Sequence, residues 1–542
     1  MKRIIALLLT LSLFAAMFAA CGSAGSDDWN GKPAAPYTDI PAGDTKAPVQ
    51  TKAPEKPQPP VSDENGITTD PAALSDRSDI AYLMVYNPDF ADDAHSYNGI
   101  ISNWIIDKRN TGDISAQVDV DMDRADDLPP IMDFNWLSQG DLQAEMPEGL
   151  KFDSDRAGGL PSIYKVGDVH AFYTDNASFS DRTLQNYTCR YDGSHCYVWV
   201  NENAVLSDDL AERYGKAFDE QIYDADTRLF GQGRFTDGGG KVNILFYDIV
   251  RSYYGYFSGR DIFSVLDASD PSVFDANKMN TDHAIIFINA AIARMPDQED
   301  SIISTLAHEF QHQICASSRI DALYCDVDAT VDTWFNEAMS GYIEEYLFPG
   351  IQAKDGRYAA LHTSQTLRTG QSLYNFDTQE GIGAYGSVFL FASYLANLAG
   401  EGVFHRFHDY WRYSASPTLS TAEAIYNAVG EDVRRAIDEK YPYTSIQGVS
   451  TTEELWMSKL VLDYYVTQMN FDASDPEAFR GIEPKQLLFN SLYPSSLDLE
   501  SGGRTVFAVN NGSFTIPADA RDGLIYVALD RDMNPLGTVV LH

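Results

Sequence analysis

Basic residues are scarce in this chain of 542: 39 Lys and Arg stand against 79 Asp and Glu, a formal net charge of −40. Such a surface argues against nucleic acid or anionic lipid as a partner, because both carry the same sign of charge. Large apolar residues are nearly missing from residues 22 to about 75, which are rich in Pro, Ala, Asp, Gly, Thr and Lys. That stretch cannot bury enough surface to offset its ordering entropy, so no folded domain is expected there. It reads as a tether, stiffened by Lys-Pro and Ala-Pro steps. Cysteine is also sparse, at five. Four of the five follow Cys21, a number consistent with an oxidising compartment.

Lys2 and Arg3 precede an apolar run from Ile4 to Phe14, and Phe18-Ala19-Ala20-Cys21 closes it with small residues before a cysteine. The pattern is that of a bacterial lipoprotein signal over residues 1–20, with Cys21 as the lipidated residue and membrane anchor. An ordinary secretory signal is the alternative. The run is short for a bilayer span, and a polar segment follows at once. Removing the signal's two charges, Lys2 and Arg3, takes the net charge from −40 to −42. The expected place is the cell envelope, extracytoplasmic and lipid-anchored.

Beyond the tether (21–75) the length suffices for two or three domains. Residues 76–205 read as an N-terminal β-rich domain, with candidate strands Ile80–Tyr86, Val166–Tyr173 and Cys196–Val200. Residues 206–450 open on a helix capped by Ser207 and carrying Leu210, Tyr214, Phe218 and Ile222 at four-residue spacing. Lys241–Ile249 and His283–Asn289 are strong strands. Residues 451–542 read as a helix, about Thr452 to Met469, and a small β domain with strands at Thr505–Val509 and Leu524–Leu529. The fold class is α+β.

Two apparent motifs lack what they need. Asp119, Asp121 and Asp123 resemble the start of a calcium loop, but Arg124 replaces the required Gly and Pro130 the terminal Glu. Gly381-Ile-Gly-Ala-Tyr-Gly386 is a formal GxGxxG without a preceding strand or βαβ unit, so no dinucleotide site is expected. It reads as a loop entering an apolar helix, Val388 to Leu398.

The chemistry lies in His308-Glu309-Phe310-Gln311-His312. In HExxH, two histidines one turn apart bind zinc, and the glutamate acts as general base. At about 100° per residue, His308 and His312 lie about 40° apart on one helix face. Ile303, Leu306, Ala307, Phe310 and Ile314 form an apolar stripe largely away from them, which predicts histidines turned toward a cleft. Asp297 is the expected N-cap, with Glu299 and Asp300 in the first turn. A chance HExxH on a surface helix is the alternative, and a third ligand decides between them. Glu337 is that candidate, on a second amphipathic helix marked by Trp334, Ala338, Tyr342 and Tyr346. Two histidines and a glutamate, with a fourth position open to water, make a catalytic zinc set. Structural zinc sites are usually closed by four protein ligands, and an inactive binding module has no need of the full set.

HEFQH followed by WFNEAMSGYIEE, then GAYGSVFLFASYL, resembles the hyicolysin-type family of bacterial zinc metallopeptidases, of the glutamate-liganded (gluzincin) kind. The family's segment after the histidines reads like WLNEGLSEY. This chain keeps its Trp, Asn, Glu, Ser and Tyr, and departs at Phe335, Ala338, Met339 and Gly341. The resemblance spans roughly residues 160 to 400. It implies a zincin-like core (a mixed sheet, an active-site helix and a helical lobe), Zn²⁺ as cofactor, and a protein or peptide substrate. It also implies a Tyr or His that hydrogen-bonds the oxyanion. Tyr385 is the first candidate for that role, with His405 and His408 behind it. A strand beside the active-site helix is expected to offer an edge to extended substrate.

Four cysteines allow three connectivities. Local pairing is favoured: Cys189 with Cys196 across a hairpin turned at Asp192-Gly193, and Cys315 with Cys325. The second bridge would contribute about 2–3 kcal/mol by the chain-entropy model. Cys315 as a zinc ligand is its alternative.

Overall fold

The computed structural model describes residues 67–68, 79–89, 163–176, 181–233, 240–249, 253–258, 261, 280, 284–317, 331–354, 373–374, 382–414, 419–446, 449–469, 502–508, 523–532 and 534–540. Contacts join residues 59–542 into one unit. Its strands are β1 (Ile67–Thr68), β2 (Tyr82–Tyr86), β3 (Val169–Asp175), β4 (Arg182–Asp192), β5 (Cys196–Asn201), β6 (Val242–Tyr247), β7 (Gly255–Phe257), β8 (Ile285–Asn289), β9 (Arg504–Ala508), β10 (Ile525–Leu529) and β11 (Pro535–Val540). The helices are α1 (Asp208–Ala217), α2 (Tyr223–Phe230), α3 (Ala290–Ala293), α4 (Glu299–Ser317), α5 (Thr333–Leu347), α6 (Ile351–Lys354) and α7 (Ile382–Ala399). They continue as α8 (Gly402–Tyr413), α9 (Thr421–Ala428), α10 (Glu431–Lys440) and α11 (Thr452–Met469). A single π turn, Phe218–Ile222, joins α1 to α2.

A mixed six-stranded sheet, ordered β3-β4-β5-β6-β8-β7, carries the helices. Its centre, β5-β6-β8, is parallel, and its outer pairings are antiparallel. All of β5, β6 and β8 is buried, as expected for parallel strands covered on both faces. The two-residue alternation sorts their side chains. Val198, Val200, Ile244, Phe246, Ile286 and Ile288 join the helices in the main core. Tyr197, Trp199, Leu245, Ile285 and Phe287 build an aromatic layer on the other face. At β7 the sheet comes close to α4: a Cβ on Gly255 would lie 2.8 Å from the Phe287 carbonyl oxygen and 3.0 Å from Thr305 Cγ2. Only glycine fits that approach.

The expected boundaries at 205/206 and 450/451 cut across the sheets. Strands β3 to β5 hydrogen-bond onward to β6, in the segment expected to be a separate domain. β2 instead lies between β10 and β9 in a five-stranded sheet ordered β1-β11-β10-β2-β9. Its Met84 and Tyr86 share one core with Val506, Ile525, Val527 and Leu529. A strand's own sequence shows that it needs neighbours but not which ones, so sequence alone separates the N-terminal and C-terminal β segments that the fold joins.

Several local expectations hold. Ser207 caps α1, its hydroxyl accepting from the Leu210 amide at 3.3 Å, and α11 runs from Thr452 to Met469. The hairpin turns between Asp192 and Cys196, where the Asp219 carboxylate accepts the amides of Ser194 and His195, both at 2.7 Å. Its cysteines do not bond: Cys189 and Cys196 are free, buried thiols. Cys189 stands opposite Trp199, three residues along β5 from Cys196, roughly 10 Å away. An odd offset also puts the two sulfurs on opposite faces, Cys189 in the aromatic layer and Cys196 in the main core. Burial pushes the Cys189 thiol up to about 12. The Cys315–Cys325 pairing lies outside the described residues, as do Cys21, the signal, the Asp119–Asp123 run and the tether up to residue 66. The tether's expected reach to residue 75 is too long, because Ile67–Thr68 pair with β11. Among the described residues, no single helix is long and apolar enough to cross a membrane.

Candidate metal centre

Helix α4 is more deeply set than its pattern suggests: every residue from Ser301 to Cys315 is buried, the two histidines included. It packs against β7, β8 and the π turn on one side and against α5 on the other. Ile302, Leu306, Phe310 and Ile314 are among its core-facing residues, each contributing about 1.5–3 kcal/mol by burial. Its N-terminus differs from expectation. The Ile302 amide bonds the Gln298 carbonyl at 2.9 Å, which makes Gln298 the residue at the cap position. Asp297 precedes it at φ 66, the left-handed region, rather than in the extended geometry of a cap.

Across from α4 runs α5, buried from Trp334 to Glu345. It brings Glu337 between the two histidines, with Glu337 Oε2 3.3 Å from His308 Nε2 and Oε1 3.7 Å from His312 Nε2. The imidazole centroids are 4.6 Å apart and nearly perpendicular, at 87°. One donor atom from each of His308, His312 and Glu337 falls within 4.8 Å of the others.

The remaining ring nitrogens are held from α5. His308 Nδ1 lies 2.8 Å from Glu344 Oε1, and His312 Nδ1 lies 3.1 Å from Ser340 Oγ. The Ser340 hydroxyl also bonds Gln311 Oε1 and lies 3.1 Å from the Asn336 carbonyl oxygen. Its one proton goes to an acceptor there, so Ser340 accepts from His312 Nδ1–H. Both histidines then carry the proton on Nδ1 and keep a bare Nε2 facing Glu337. Among the described residues His312 Nε2 makes no hydrogen bond. Two neutral imidazole nitrogens and one carboxylate, buried and convergent, suit a divalent cation of borderline softness. The residues fit zinc.

Three further expected residues separate here. Tyr385 is buried at 2 % exposure, its ring centroid 6.4 Å from that of His308. It sits in the first turn of α7, since the helix starts at Ile382 and takes in most of the expected loop. His405 is turned elsewhere, its Nδ1 3.1 Å from the Arg228 carbonyl oxygen and its Nε2 3.6 Å from Asp409. His408 is packed against Phe230 and Phe407. Burial, with Arg412 and His405 nearby, lowers its pKa to about 3, so it is neutral.

Ser340 and Glu344 were missed by the sequence reading, although a signal existed. They stand three and seven residues beyond Glu337, one and two turns along the same face of α5.

A mixed sheet with an HExxH helix packed beside it, and a following helix that supplies a glutamate, is the arrangement of a zincin core. Homology agrees with the geometry. The chain is a distant homologue of neutral metalloprotease ShpI of Staphylococcus hyicus, 27% identical over 281 residues. The match covers 50% of this chain and 59% of the relative. No family model matches the chain. The resemblance to hyicolysin-type zinc metallopeptidases therefore stands on a relative as well as on motifs.

Proposed function

We propose that this protein is an extracytoplasmic zinc metallopeptidase that hydrolyses peptide bonds. The convergence of His308, His312 and Glu337 donors within 4.8 Å is the observation that carries the reading. Zinc held there would polarise the scissile carbonyl and lower the pKa of a water at the open position. Glu309, next to His308 on α4 and fully buried, takes the proton of the attacking water and delivers it to the leaving nitrogen. Tyr385 donates its hydroxyl to the carbonyl oxygen as negative charge develops. Strand β7, which ends the six-stranded sheet on the α4 side, pairs with extended substrate, so that backbone hydrogen bonds fix its direction. Ahead of this core, residues 1–20 act as a lipoprotein signal, Cys21 carries the lipid, and the segment between Cys21 and β1 lifts the enzyme from the membrane.

A direct test is hydrolysis of denatured casein by the purified protein and by Glu309→Gln. The variant keeps the carboxylate's shape without its basicity. Zinc content and melting temperature should survive while the rate falls roughly 10²–10⁴-fold. Tyr385→Phe should lower the rate by about 10²–10³ and leave the metal in place. Parental hydrolysis by Glu309→Gln would turn the reading to a binding module on a peptidase-like fold. Anchoring has its own test: Cys21→Ser should move the protein from the membrane fraction to the soluble one, and retention through a high-salt wash would refute the lipid anchor.

A further inference from the structure

The geometry points to Gln352 as a positioning residue of the metal centre, acting through Glu344 on His308; this rests on the zinc reading above. Helix α5 ends at Leu347, and the chain reverses at Gly350, whose φ of +90° is left-handed. Glycine adopts that conformation without the Cβ penalty of other residues. The first turn of α6 then lays Gln352, 1 % exposed, back along α5. Its side-chain nitrogen donates to Glu344 Oε2 at 2.9 Å and to the Gly341 carbonyl oxygen at 3.2 Å. Both amide protons are used, and the opposite orientation of the amide would set its oxygen against two acceptors. The glutamine is therefore locked.

Glu344 Oε2 accepts from Gln352, and its Oε1 lies 2.8 Å from His308 Nδ1. A carboxylate fixed in this way orients the imidazole and keeps its Nε2 lone pair aimed at the metal. The neighbouring glutamate does a different job. Glu345 accepts the backbone amides of Gly350 at 2.5 Å and Gln352 at 3.1 Å, which pins the turn that presents the glutamine. Gly341 makes room for α7 rather than for the glutamine: an added Cβ would stand a tight 3.2 Å from Phe389 Cβ but an ordinary 3.7 Å from Gln352 Nε2. One turn past the end of α5 thus reaches back to the metal site through the Gln352–Glu344 hydrogen bond and the close Glu344–His308 contact.

The test uses the full chain, with zinc affinity measured by chelator competition and the visible spectrum of the cobalt(II)-loaded protein recorded. Gln352→Met keeps the length and removes the donor. It should weaken zinc binding about tenfold and alter the cobalt bands, while the melting temperature of the metal-free protein holds. Glu344→Gln should do the same more strongly, within the roughly 10–100-fold range of outer-shell partners. If Gln352→Met lowers the metal-free melting temperature but binds zinc as the parent does, the glutamine only braces the helix end and the inference is overturned. A parent that takes up zinc no better than His308→Ala would instead overturn the zinc reading, and this inference with it.

Discussion

Two buried polar clusters lie on opposite sides of the six-stranded sheet, and they are satisfied in different ways. In the aromatic layer, the Arg182 guanidinium bonds Asp261 at 2.7 and 3.1 Å and Asp175 at 3.0 Å. Tyr256 donates to Asp175 at 2.9 Å, and the Asn280 amide to Asp261 at 3.0 Å. The cation is part of the chain, and the two carboxylates raise the arginine's pKa above its ordinary value. At the metal centre the same kind of burial surrounds Glu337 and Glu344, and the groups beside them include imidazoles and an amide. Where a protein supplies its own counter-charge, the cluster is structural. Where a buried carboxylate and imidazole nitrogens converge, the donor set suits a bound cation.

The comparison can be broken most sharply with Glu337→Ala. Zinc stoichiometry should fall from about one per chain to near zero, and the melting temperature should lose its response to chelator. Full zinc occupancy in that variant, read by elemental analysis, would mean a different third ligand. Arg182→Met should show the reverse pattern. Leaving Asp175 and Asp261 without their cation costs about 3–5 kcal/mol, measurable by urea denaturation, while the folded fraction keeps its zinc. A parallel loss of metal would show that the two clusters are coupled across the sheet.

A smaller effect concerns His408, which among the described residues has no counter-ion beside it. Its folded pKa of about 3 lies below the ordinary 6.5, so between those values the unfolded chain binds a proton that the folded one refuses. Stability from this group is fully present above about pH 6.5 and declines as pH falls, by about 1.4 kcal/mol per unit. His408→Leu should flatten the acid side of a stability–pH curve across that window. An unchanged slope would show that His408 finds a way to protonate in the fold.

Much of the site could be read from sequence because its determinants are local. His308 and His312 share a helix face by helical geometry alone, and Glu337 followed as the acid of the next helix. Glu344 was within reach by the same periodicity, seven residues on. Gln352 was not, since its role depends on the reversal at Gly350. Tyr385 was separable from His405 and His408 only once α7 and α8 were packed.

By itself, the sequence determined the strongest strands, the helices that carry the ligands and the order of those ligands, because hydrophobic period and side-chain chemistry are properties of neighbours along the chain. Tertiary structure decided that β2 pairs with β9 and β10, that Cys189 and Cys196 face away from each other, and that α4 is buried on all sides. Those outcomes rest on hydrogen-bond partners and shared cores far apart in sequence. An apolar run shows that it will be buried, but only the folded chain shows against what.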